Sequence, residues 1–145
     1  MEYRKYDSRY YIRLDKGDEL ISSLVGLCRD EDISVGSVKG IGGCSSVTVG
    51  VFDPELRDYI RAEAQGTLEM ISLDGNITAL DGEPFVHAHA CFAYCAEDGG
   101  HKLIAGHLLK AEIGLTGELV LTPASGSISR VYDEELGIRV WRFDN

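Results

Sequence analysis

A chain of 145 residues is long enough to bury a core without disulfides or metal as folding staples, so a single domain over residues 1–145 is expected and any metal would serve function. Fourteen basic residues against 24 acidic ones give a formal net charge of −10, which disfavours a nucleic-acid backbone binder because that affinity comes from Lys and Arg displacing counterions. With no apolar leader in "MEYRKYDSRYY" and no run of 18 apolar residues, a cytoplasmic protein without a membrane span is expected.

"RYYIRLD" reads as a first strand, after which the apolar period lengthens. Leu20, Ile21, Leu24, Val25, Leu27 and Cys28 recur at helical spacing, which predicts a helix with Asp18 as N-cap and acidic residues in its first turn. "GSVKGIGGCSSVTVG" carries the glycines of a phosphate-binding loop, but a strand-like run follows where a helix is required, so dinucleotide binding is not supported. Gly40, Gly42 and Gly43 are read instead as tight turns and a close backbone approach.

From there on the segments are strand-like: "SVTVGVF", "YIRAEA", "TLEMISL", "NITAL", "FVHAHACFAYC", "KLIAGHLLKAEI", "ELVLTP", "ISRVYD" and "IRVWRF". "DPEL", "DGN", "DGEP", "EDGG", "TG" and "ASGS" read as the turns between them. The class is therefore α+β, an antiparallel sheet or partial barrel with a helix against it. No linker, low-complexity run or internal repeat divides the chain.

Alternation along "PFVHAHACFAYC" puts Phe85, His87, His89, Cys91, Ala93 and Cys95 on one face. If the following hairpin turns at Asp98, His89 faces His107 across the strand pair, and three imidazoles converge; a one-residue slip would undo this. Three neutral imidazoles suit Zn²⁺ or a similar divalent metal, with a fourth position open to water or substrate. The alternative is a structural cluster satisfied by hydrogen bonds. Cys91 and Cys95 are conceivable thiolate ligands, although small buried cysteines are more often core, and His101 is read as a solvated turn residue. Cys28 and Cys44 complete a set too sparse for a disulfide scaffold, so all four cysteines are expected to be free. Glu69 and Glu118 are strand carboxylates able to serve as general base or as partner to a histidine. Ser45, Ser46 and Ser125 lack a triad context, and the Asn76 glycosylation sequon is read as a chance match.

Taken together, "GIGGCSSVTVGVFD", "GTLEMISLDGNI", "DGEPFVHAHACFA" and "AGHLLKAEIGLTGEL" resemble the PPC domain, the family shared between plants and prokaryotes. The most specific part is His87-x-His89 followed by Gly106-His107-Leu108. The resemblance covers almost the whole chain and implies a strongly bent, mostly antiparallel sheet with one or two packing helices, assembled as a homotrimer. In plant members the domain follows AT-hook motifs that bind A·T-rich DNA, and it looks like a protein–protein interaction module there. This chain has no Arg-Gly-Arg-Pro segment, so the family's DNA-binding label does not transfer with the domain alone. The general fold is also similar to that of α-acetolactate decarboxylase, in which three histidines hold zinc; positions 87, 89 and 107 match that arrangement. Glu69 and Glu118 match positions often acidic in the family. The resulting expectation is a homotrimer that binds a divalent metal, zinc first, through His87, His89 and His107, with other proteins or a small molecule as further partners and direct DNA binding doubtful. The alternative is a metal-dependent hydrolase or lyase acting on a small acid, with Glu69 or Glu118 moving the proton.

Overall fold

The computed structural model describes residues 1–96 and 99–143. Its elements in chain order are β1 (Glu2–Tyr6), β2 (Arg9–Asp15), α1 (Leu20–Asp30), β3 (Gly36–Asp53), β4 (Asp58–Leu80), β5 (Glu83–Cys95), β6 (His101–Pro123), β7 (Ser129–Asp133) and β8 (Ile138–Arg142). The sheet runs β1-β2-β6-β3-β4-β7-β8, and β5 pairs with both β4 and β6. Strands β3, β4, β5 and β6 therefore pair in a ring, each contact antiparallel. The expected partial barrel is present; the one parallel pairing described joins Ala79 of β4 to Ser129 of β7.

Two expected turns are absent. "DGN" lies inside the 23 residues of β4 and "TG" inside the 23 residues of β6, so the glycines there mark close approaches rather than chain reversals. A Cβ on Gly75 would come within 2.8 Å of the His87 carbonyl oxygen, and one on Gly117 within 3.2 Å of Leu14 Cβ. The glycines at 40, 42 and 43 likewise sit within β3 rather than in turns, and a Cβ on Gly42 would stand 2.4 Å from the Thr116 carbonyl oxygen. The "DPEL" and "DGEP" reversals are real. Asp53 Oδ1 accepts from the amides of Glu55 and Leu56, and Asp81 and Gly82 both take positive φ between β4 and β5. Strand β1, unforeseen in the sequence, pairs with β2 at the sheet edge.

Helix α1 buries Leu20, Leu24, Leu27 and Cys28 against β5 and β6. Its cap is Glu19 rather than Asp18, and no acidic residue occupies its first turn. The longer side chain reaches the amides of Ile21 and Ser22 and also that of Ala111 in β6, tying the helix start to the sheet. Asp18 is taken by the Asp15 amide and the N-terminal amino group. Tyr10, Leu14, Val38, Met70, Leu73, Ile77, Phe92, Ile113 and Leu119 are among the strand residues of the same core. Each such fully buried side chain contributes about 1.5–3 kcal/mol relative to exposure.

Candidate metal centre

Along β5, Val86, Ala88 and Ala90 point into the core, so His87 and His89 point to the other face. Across the β5–β6 pair His89 stands opposite His107, the register the sequence suggests; Asp98, the expected centre of the turn, and Glu97 lie outside the described residues. Two glycines seat His107. A Cβ on Gly106 would lie 2.7 Å from the Gly50 carbonyl oxygen, so a bare Cα lets β6 close on β3 there. A Cβ on Gly50, opposite His107, would lie 2.9 Å from Tyr59 Cβ and Cδ1; without it, the Tyr59 ring stacks on His107 with centroids 4.6 Å apart.

The three imidazoles meet with ring centroids 5.2 Å (His87–His89), 4.9 Å (His87–His107) and 5.5 Å (His89–His107) apart. One ligand nitrogen from each lies within 4.8 Å of the others. Burial pushes His107 down to about 4, reinforced by His87, His89 and Arg130. His87 is lowered by burial, then by Arg130 and His89. Both effects favour neutral imidazole, the form that ligates metal. His107 Nδ1 is buried with no hydrogen-bond partner among the described residues. A purely structural cluster satisfies its buried nitrogens, whereas this one leaves a donor unused. The residues present thus fit a divalent metal.

The histidines open into a cavity of about 620 Å³ bounded by β3, β4 and the β7–β8 hairpin. Arg57, Arg130 and Arg139 line it together with Phe52, Tyr59 and Phe85. Arg130 is anchored through Nε to Thr78 Oγ1 (2.8 Å), Nη2 to Asn76 Oδ1 (2.9 Å) and Nη1 to the Arg139 carbonyl (3.2 Å), with its guanidinium over the Phe85 ring. Its Nη2 also lies 3.3 Å from His87 Nδ1. Asn76, the sequon residue, is half-buried with its amide oxygen taken by Arg130. Thr78, Asn76, Tyr59 and Arg130 carry no signal as site residues in the sequence. Asn76 stands opposite His87 on β4, a relation visible only once that register is known.

Glu69 and Glu118 are exposed and do not line this cavity. The structure brings them together in a separate groove with Ile41, Ile71 and Leu115. The carboxylates bordering the histidines are Asp58 and Asp74, and each holds a basic partner: Arg61 at 3.1 Å and Lys39 at 3.3 Å. Cys91 and Cys95 do not join the metal-competent cluster found among the described residues, and all four cysteines are free. His101 is solvated, but as the first residue of β6 opposite Cys95 rather than in a turn.

The sequence profile of the Plants and Prokaryotes Conserved (PCC) domain matches residues 1–125. A crystal structure from Bacteroides thetaiotaomicron, described as a candidate DNA-binding protein, is 29% identical with a TM-score of 0.89, over 98% of this chain and 96% of that one. A metal-containing protein of Archaeoglobus fulgidus is 28% identical with a TM-score of 0.83, over 98% of this chain and 97% of the other. A Staphylococcus aureus protein similar to α-acetolactate decarboxylase shares the fold at 14% identity and a TM-score of 0.56, over 89% of this chain and 56% of that one. No match is found among curated proteins.

Proposed function

The chain belongs to the Plants and Prokaryotes Conserved domain family, and from that premise we propose that it is a homotrimer holding a divalent metal, zinc first, on His87, His89 and His107. The observation that carries the metal is the buried, unpartnered His107 Nδ1, on a ring that burial holds neutral, beside His87 and His89. The metal-containing Archaeoglobus relative supports it. Assembly is supported by Ile41, Ile71 and Leu115, which are 57%, 52% and 66% exposed around one groove, an apolar patch of the kind that marks an interface. The relatives' DNA-binding label is not carried over to this chain: a net charge of −10 opposes direct phosphate contact.

A second reading, a metal-dependent hydrolase or lyase acting on a small acid, is favoured by the arginine-lined cavity beside the histidines. A metal there would polarise a carbonyl or lower the pKa of a bound water. Tyr59 stacks on His107 and limits its ring motion, while Phe52 and Phe85 give a ligand apolar walls. Neither Glu69 nor Glu118 borders this cavity, so a proton-moving role for either has no support within one chain.

The test is elemental analysis of native protein and His107→Ala purified identically without chelator. The expected result is about one metal per chain, lost in the variant, as a three-ligand site requires. Native protein that carries no metal and takes up no added zinc would return the histidines to a structural role.

A further inference from the structure

Arginine carries N–H donors and no acceptor, so in the 3.3 Å contact between Arg130 Nη2 and His87 Nδ1 the imidazole nitrogen must accept. A neutral His87 then keeps its ring proton on Nε2. That state cannot coexist with metal on His87. Ligation through Nδ1 needs the lone pair that Arg130 occupies, and ligation through Nε2 moves the proton to Nδ1, setting N–H against N–H. Whichever nitrogen binds, Arg130 has to give up His87.

The guanidinium is not thereby set adrift, because Thr78, Asn76 and the Arg139 carbonyl still hold it over Phe85. One N–H is released at the cavity wall with no partner. Arg57, Arg130 and Arg139 line that one cavity against a single carboxylate, Asp58, which is itself paired with Arg61, so the lining is net positive in a protein of net charge −10. Phe52, Tyr59, Phe85 and Ile138 supply apolar walls around it.

We infer that Arg130 is exchanged between two partners, His87 in the metal-free protein and a small organic carboxylate with an apolar body in the metal-loaded one. Metal loading thereby prepares the anion site, and by linkage the anion strengthens metal binding. The inference rests on the three-histidine metal reading above.

The test uses zinc and benzoate, a carboxylate with a flat apolar body and weak affinity for free zinc, on the full chain and on Arg130→Met, which keeps the stem and removes the guanidinium. Zinc affinity is expected to rise about ten-fold in the variant, the low end of what outer-shell changes do to a metal site, but in the opposite direction to a supporting residue. Benzoate is expected to bind zinc-loaded wild type about ten-fold or more tighter than metal-free wild type, and that gain to disappear in Arg130→Met, the size of a typical coupling. Unchanged or weaker zinc binding in folded Arg130→Met overturns the inference, as does an undiminished benzoate gain, which would mean that the metal alone holds the carboxylate. A nitrogen-15 spectrum of metal-free wild type needs no variant: His87 is expected as the Nε2–H tautomer, and the proton on Nδ1 sinks the idea. If wild type takes up no zinc at all, the metal reading and the coupling fall together, and this is seen before any anion is added.

Discussion

The four thiols show how far burial separates residues of one type. Cys28 and Cys44 are in the core, and desolvation pushes both up to about 11, with Glu69 adding to the shift at Cys44. Cys95 is exposed. Since the thiolate is the reactive form, iodoacetamide at neutral pH is expected to modify Cys95 in the native chain and to reach Cys28 and Cys44 only on unfolding, a pattern read by peptide mass mapping. The sign of the pH effect follows from the same shift. Above the ordinary value of 9.0 the unfolded chain sheds thiol protons that the folded chain keeps, so these two groups stabilise fully below pH 9 and lose that contribution as pH rises toward about 11. Thermal midpoints of Cys28→Ala are expected to fall less steeply over that window than those of wild type; equal slopes would contradict the shift. At this scale the histidine pair is legible because alternation alone puts His87 and His89 on one face. Arg130 is not, since no spacing links it to His87; the contact exists only because the β7–β8 hairpin folds back, and position 130 lies beyond the matched residues 1–125.

At the scale of the element, glycine carries two meanings that one sequence letter does not separate. The turn reading applies at "DGEP", where Asp81 and Gly82 both take positive φ, and fails at "DGN" and "TG", where the chain continues as strand because a neighbouring backbone or side chain fills the space a Cβ would need. The length of these uninterrupted strands is what lets β4 and β6 each pair with more than two partners along successive stretches. The same substitution should therefore have opposite signs at two sites. Gly106→Ala forces a Cβ to 2.7 Å from the Gly50 carbonyl and is expected to destabilise by about 1–3 kcal/mol, the usual cost of overpacking, while moving His107 out of register with His89. Gly26 lies inside α1 with nothing within 4 Å of where a Cβ would stand; as Ala it gains helix propensity and is expected to stabilise by about 0.5–1 kcal/mol. Urea denaturation of the two variants checks both, and a destabilised Gly26→Ala would show that α1 packs more tightly on that side than the backbone indicates. The misplaced N-cap has a comparable cause: Asp18 and Glu19 are adjacent acids, and two long-range contacts choose between them, the N-terminal amino group drawing Asp18 away and the Ala111 amide of β6 holding Glu19.

On the scale of the whole molecule, the ring of β3, β4, β5 and β6 buries one face of the sheet against α1 and leaves a second, partly apolar surface at Ile41, Ile71 and Leu115. The sequence pattern cannot distinguish that surface from core, because alternation records which residues share a face and not what covers it. A cyclic homo-oligomer closes such a patch by rotation. Leu115 is the most exposed of the three, at 66%, so Leu115→Glu removes little internal packing. It also adds a carboxylate beside Glu69 and Glu118 in the same groove, where copies meeting around a symmetry axis would repel. Light scattering of wild type is expected at three times 15.9 kDa, and of Leu115→Glu at the single-chain mass with its secondary structure intact. Because each chain carries a net charge of −10, the wild-type assembly is further expected to tighten as salt screens repulsion between copies. A monomeric wild type would remove the trimer, and a trimer indifferent to Leu115→Glu would move the interface away from this groove while leaving the histidine centre as it stands.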